Sequence, residues 1–170
     1  MSWLRPDASY RRLKDLPLEK YAEFFKYVFL DADNTLQTHG QSSATPEALA
    51  FVRRVEELGM IPILYSNASA DRARSLADSL GIELLAKARK PSAKALRAFM
   101  CQRSWDPRRA VVIGDQLFTD LWAGQRAGVA TIKVEPLSRD EAWWIKPKRV
   151  LEDRWIKRWS RPEVFDDLML

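Results

Sequence analysis

Residues 27–36 read YVFLDADNTL, from Tyr27 to Leu36. Four apolar residues run straight into Asp31, and a second carboxylate, Asp33, follows two positions later. A continuous apolar run of this length marks a strand buried on both faces of a parallel sheet. The acids that end it have two readings. They can be turn formers, since Asp and Asn favour turns. They can also hold a ligand, because open parallel sheets carry their chemistry at the carboxyl ends of strands, beside the switch in strand order.

Working outward, LPLEKYAEFFK reads as a short helix leading into this strand, which begins at Lys26. After the loop QTHGQSS, Thr45 and Pro46 supply a capping hydroxyl and a first-turn proline. Leu49, Val52, Val55 and Leu58 form the apolar stripe of that helix, and Gly59 ends it. MIPILYS is a second buried strand. Residues 70–80 predict a helix stopped by Gly81, and IELL predicts a short third strand. Pro91 opens a helix carrying Leu96, Phe99 and Met100. Residues 110–113 form a fourth strand, residues 118–127 a helix followed by Gly128, and residues 130–134 a fifth strand. Strands alternating with helices in this way give right-handed βαβ crossovers. The expected fold is α/β: a three-layer, Rossmann-like sandwich around a mainly parallel five-stranded sheet.

The bulk properties set limits on function. The chain has 170 residues, 46% of them hydrophobic and 30% charged, an ordinary globular composition with enough length for a real core. Cys101 is the only cysteine, so no internal disulfide forms. His39 is the only histidine, which argues against a His-based zinc site or a Ser-His-Asp triad. No stretch approaches the ~20 apolar residues of a membrane span, and the N-terminus lacks the apolar core of a signal peptide. The expected location is cytoplasmic, either free or peripheral at the inner face of the membrane. The formal net charge of +5 draws the chain toward phosphates in a nucleic acid, an anionic membrane or a phosphorylated substrate.

Three other predicted strand ends carry polar residues. Strand two ends in Ser66-Asn67, the loop before helix three carries Lys90-Pro91, and strand four ends in Gly114-Asp115-Gln116, with Thr119-Asp120 beyond. Taken singly, Ser66-Asn67 reads as a cap or turn, Lys90 has a rival in Lys87, and Asp120 reads as a helix-dipole partner. Taken together they suit phosphoryl transfer. One acid of a pair can attack phosphorus and form an aspartyl-phosphate, while the other protonates the leaving alkoxide and then activates water. A hard cation such as Mg²⁺ offsets repulsion between carboxylates and phosphate. A lysine and a hydroxyl hold the equatorial phosphate oxygens.

DADNTL, the hydroxyl in YSNAS, the Lys in ARKPS and GDQLFTD stand in the order of the four motifs of haloacid dehalogenase-like (HAD) hydrolases. With GDQLFTDLWAGQRAGVATIKVEPL, the chain over residues 3–160 resembles the YqeG-type branch of subclass IIIA. That branch includes phosphatidylglycerophosphate phosphatases. The resemblance implies that Asp31 is the nucleophile and a metal ligand. Asp33 would be the general acid/base and offer its backbone carbonyl to the metal, and Asp115 would be the third ligand. Ser66, Asn67 and Lys90 would bind the phosphoryl group. Thr35 would buttress the loop, Gln116 would support the site, and Asp120 would be a supporting acid or alternative ligand. Ala32 and Ala68 depart from the pattern; Ala68 stands where a second Asn is expected to touch substrate.

The expected organisation is a lead-in over residues 1–26, a phosphatase core over 27–135, and a basic Trp-rich tail over 136–170. The intervals between motifs are too short for a cap domain, so the site should be open. An open site suits a phosphate protruding from something large, such as a lipid at an anionic bilayer; oligomerisation would close it around small substrates. The tail holds Trp143, Trp144, Trp155 and Trp159 among Lys and Arg residues. It reads either as a helix lying in a membrane interface or as a Trp face docked on the core. No motif for nucleic-acid binding accompanies it. The expected substrate is phosphatidylglycerophosphate. The alternatives are a phosphatase of soluble sugar or nucleotide phosphates, or a partner-docking scaffold with incidental activity.

Overall fold

The computed structural model describes residues 5–33, 35–37, 44–137 and 165–168. His39 and the four tail tryptophans lie outside the described residues. The strands are β1 (Ala8–Tyr10), β2 (Tyr27–Leu30), β3 (Ile61–Tyr65), β4 (Glu83–Leu85), β5 (Ala110–Gly114), β6 (Ala130–Val134) and β7 (Phe165–Asp166). The helices are α1 (Leu18–Phe24), α2 (Pro46–Glu57), α3 (Ala70–Leu80), α4 (Lys94–Gln102) and α5 (Trp122–Ala127).

Side-chain alternation along the central strands explains the layers. Val28 and Leu30 of β2, Leu64 of β3, and Val111 and Ile113 of β5 pack into one core, with α2 and α3. Phe29, Ile63, Tyr65, Ala110 and Val112 point the other way into a second core, with α4 and α5. A strand apolar at every position is therefore buried on both faces, which is why it shows no polar alternation. Gly124 lets α5 approach the sheet closely: a Cβ there would lie 2.8 Å from Thr131 Cγ2 and 3.2 Å from Val112 Cβ.

The sheet order is β4-β3-β2-β5-β6-β1-β7. The chain winds from β2 outward through β3 and β4, then returns to the far side of β2 as β5. The direction switches between β2 and β5, which run parallel in a register that pairs Leu30 with Ile113. The ends of these two strands are therefore level and adjacent, at the place where such sheets bind ligands.

Five strands were expected; the described residues contain seven. The two additions are short edge strands with weak sequence signals. β1 comes from the lead-in and pairs in parallel with β6, Ala8 opposite Ile132. β7 adds two residues antiparallel to β1. Side chains fasten this edge. Asp7 accepts hydrogen bonds from Thr131 N (2.7 Å) and Oγ1 (2.8 Å). The Tyr10 and Tyr21 hydroxyls both donate to Asp166 Oδ2, at 2.5 and 2.8 Å.

Two helix starts also differ from expectation. Arg89 to Ser92 close a turn (Ser92 N to Arg89 O, 2.8 Å), so α4 begins at Lys94 rather than Pro91. The segment expected as one helix over 118–127 is a π-helical turn at Leu117–Leu121 followed by α5.

Candidate active site

Asp31 is the first residue beyond β2, and its N–H continues the ladder to Ile113 O at 3.0 Å. Its carboxylate is buried. Asp115, the first residue beyond β5, is fully buried. Asp120 reaches the same place from the π-helical turn, in which Asp120 N and Leu121 N both donate to Gln116 O. π-turns often re-aim a side chain at functional sites. Gly114 is required here: a Cβ would lie 2.7 Å from both Asp120 Cβ and Oδ2. Asp31, Asp115 and Asp120 thus offer carboxylate oxygens that all lie within 4.8 Å of one another.

Lys90 balances this charge. Its ammonium, 2% exposed, contacts Asp31 Oδ1 at 2.5 Å and Asp120 Oδ1 at 2.6 Å. It also donates to Tyr65 O at 3.0 Å and lies 4.7 Å from the centre of the Tyr65 ring. Burial by itself would discharge the lysine, but Asp120 and Asp31 outweigh burial and hold its proton more firmly than usual. Burial, then Asp120, push the Asp31 carboxyl above the ordinary carboxylate range; Lys90 pulls the other way and Asp115 adds to the push. Asp31 Oδ2 is buried without a hydrogen-bond partner among the described residues. A buried orphan carboxylate oxygen beside two further carboxylates is a donor set that fits a hard divalent cation.

The loop presenting Lys90 is clamped by Asn67, whose amide oxygen accepts from Lys90 N (2.7 Å) and whose NH₂ donates to Lys90 O (3.1 Å). Ser66 is buried at the end of β3; its N–H donates to Leu85 O, its carbonyl accepts from Ala88 N, and its Oγ accepts from Ala68 N. Lys87 and Arg89, just before Lys90, have φ of 49° and 55°, left-handed values rare for long side chains. Such strain costs of order 1 kcal/mol or more per residue and persists only where the surroundings hold it. Lys87, the rival lysine, is exposed.

The remaining predicted residues divide. Thr35 is buried in the loop after β2. Gln116 donates its N–H to Asp120 Oδ2 (3.2 Å) and accepts from the Thr119 hydroxyl (3.2 Å). The Asp33 carboxyl is not in the trio; Arg72 Nη2 approaches its Oδ1 at 2.5 Å and Gln37 Nε2 at 3.4 Å. Asp120, read from the sequence as a supporting acid or alternative ligand, contributes a carboxylate to the trio. Sequence reasoning missed Tyr65 and Arg72. Tyr65 had a usable signal, being the last apolar residue before Ser66. Arg72 had none, since no spacing rule links it to Asp33.

A carboxylate trio with a buried lysine, at the switch point of an α/β sheet with no cap domain among the described residues, is the arrangement of a phosphatase core, and the comparisons with known proteins agree. A family model described as HAD-hydrolase-like matches residues 87–153. The probable phosphatase YqeG of Bacillus subtilis is 31% identical over 157 residues, covering 92% of this chain and 91% of that protein. The chain belongs to the HAD-like phosphatases, in the family that includes YqeG. It is also similar to Phosphatidylglycerophosphate phosphatase 1, chloroplastic/mitochondrial, of Arabidopsis thaliana, at 30% identity over 151 residues and 42% of that protein's length. Among solved structures, the cobalt-bound deoxy-D-mannose-octulosonate 8-phosphate phosphatase of Haemophilus influenzae shares the fold, with a TM-score of 0.53, 17% identity, and 75% of this chain and 77% of that one covered.

Proposed function

We propose that this phosphatase is Mg²⁺-dependent, works through an aspartyl-phosphate on Asp31, and acts on phosphatidylglycerophosphate. The observation that carries the mechanism is the setting of Asp31: one oxygen on Lys90, the other buried without a partner among the described residues, and two carboxylates alongside. Asp31, Asp115 and Asp120 would hold the cation, together with the Asp33 carbonyl. Bound there, Mg²⁺ would offset the repulsion between carboxylates and an incoming phosphate.

The steps belong to the chain's own groups. An Asp31 carboxylate oxygen bonds to phosphorus as the bond to the substrate's alcohol oxygen breaks. Asp33 gives its proton to that leaving oxygen. Asp33 then takes a proton from water, whose oxygen bonds to phosphorus and releases the Asp31 carboxylate. Lys90 and Ser66 bind the equatorial oxygens, where charge gathers in the transition state. Asn67 contributes by holding the Lys90 main chain in place.

For the lipid substrate, the support is the similarity to relatives named phosphatidylglycerophosphate phosphatases, the absence of a cap among the described residues, and the net charge of +5. The basic, Trp-rich composition of residues 136–170 favours an anionic surface as the place of action. The test is phosphate release from phosphatidylglycerophosphate in mixed micelles against a panel of sugar and nucleotide phosphates, with Asp31→Asn as control. A marked preference for the lipid is expected. Equal or better turnover of a soluble phosphate would replace the substrate assignment, and a rate retained by Asp31→Asn near that of wild type would remove the nucleophile.

A further inference from the structure

We infer that Arg72 is a positioning residue for the carboxyl of Asp33. The inference rests on the reading of Asp33 as general acid/base. Asp33 is placed less firmly by the sheet than Asp31. Asp31 is tied to β5 through Ile113 O, whereas Asp33 lies further out on the loop after β2. That loop closes on itself: Leu36 N and Gln37 N both donate to Ala32 O, and Asp33 forms an isolated bridge with Gln37. These contacts fix its main chain. For the side chain, two donors converge on the same oxygen, Oδ1: Arg72 Nη2 at 2.5 Å and the buried Gln37 amide at 3.4 Å.

Arg72 comes from the first turn of α3, the helix that follows Ser66-Asn67, and crosses 39 positions of sequence to reach Asp33. It therefore links the segment carrying the phosphate-binding hydroxyl to the acid that must meet the leaving oxygen. A guanidinium is always charged and holds its donors in a rigid plane, which suits the orientation of a carboxyl group. Both side chains are partly exposed, at 35% and 24%. A pair this wet contributes little to stability, so loss of Arg72 should leave the fold standing. Misplacement of a proton donor by an ångström, by contrast, can slow a reaction by roughly 100-fold.

General acid catalysis has a signature. A poor leaving group such as an alkoxide needs the proton; 2,4-dinitrophenolate hardly does. We would compare wild type, Asp33→Asn, Arg72→Gln and Arg72→Lys in full-length protein with Mg²⁺. The substrates are an alkyl phosphate (glycerol 3-phosphate or the lipid) and 2,4-dinitrophenyl phosphate. Asp33→Asn should lose about 10²–10⁴-fold in kcat/KM, which reads the steps up to release of the alcohol, on the alkyl ester and far less on the aryl ester. Arg72→Gln should show the same asymmetry, about 10–100-fold on the alkyl ester, with KM and melting temperature little changed and Arg72→Lys in between. If Asp33→Asn loses equally on both substrates, the acid/base reading fails and this inference with it. If Asp33→Asn keeps the asymmetry but Arg72→Gln loses equally on both, or only raises KM, Arg72 is structural or binds substrate. The inference about Arg72 is then overturned while Asp33 keeps its role.

Discussion

Lys90 holds one positive charge against the carboxylates of Asp31 and Asp120, out of reach of water. Removing one partner of a buried ion pair is typically destabilising by about 3 kcal/mol or more, because the remaining charges lose their compensation. Lys90→Met should therefore melt well below wild type in EDTA. Excess Mg²⁺ should recover part of that loss, since a cation bound only to the folded state stabilises by about 2.7 kcal/mol at 100 times its dissociation constant. Thermal melts of both proteins with and without Mg²⁺ check this; no recovery would count against the trio as a cation site. Activity should vanish in EDTA and return with Mg²⁺. Asp31→Asn should release phosphate at least ~10³-fold more slowly than wild type, measured under single-turnover conditions. At this scale the sequence was informative wherever a residue directly ends a strand. Asp31, Ser66 and Asp115 could be found because a polar residue after an apolar run is a local signal. Asp120 was harder to place, because its position depends on a π-turn that sequence periodicity does not announce.

That π-turn packs against the end of β5 only because Gly114 lacks a side chain. In Gly114→Ala the added Cβ would meet Asp120 at 2.7 Å, against atoms already held by Lys90 and Gln116. Overpacking of this kind costs about 1–3 kcal/mol. The larger effect should fall on phosphate release, since the atom displaced belongs to the trio. The variant is expected to fold with a lowered melting temperature and to lose more activity than its folded fraction explains. Activity per folded molecule decides the matter. Among the elements, α3 was legible to the residue and α2 except that it stops at Glu57, one residue before Leu58: Thr45 caps Ala48 N as its hydroxyl suggests, and Gly81 takes a left-handed φ of 71° where α3 stops. β1 and β7 were not, because three- and two-residue strands are stabilised by partners far along the chain rather than by a pattern of their own.

At the scale of the molecule, the sheet is closed at one edge by a tyrosine pair on Asp166. Burial, then the hydrogen bond to Asp166, raise Tyr10 to about 12. Burial, then the contacts with Tyr10 and Asp166, raise Tyr21 further. Both hydroxyls therefore stay protonated in the folded protein at pH values where an unfolded tyrosine, near 10, ionises. The stability they contribute is fully present below pH 10 and is lost as pH rises toward 12. Urea midpoints should fall over that window in wild type and fall less in Tyr10→Phe/Tyr21→Phe; parallel slopes would refute the assignment. No helix among the described residues is long and apolar enough to cross a membrane.

The same edge bears on how the protein is made. A ribosome delivers residues in order, yet Ala8 has no sheet partner until Ile132 emerges, and Asp166 follows later still. The strands that frame the carboxylates, β2 and β5, can meet while the first strand is still waiting. Nascent chains with residues 1–128 clear of the ribosome, and so lacking the sixth strand, should thus resist protease around Asp31 and Asp115 and remain cleavable around Tyr10.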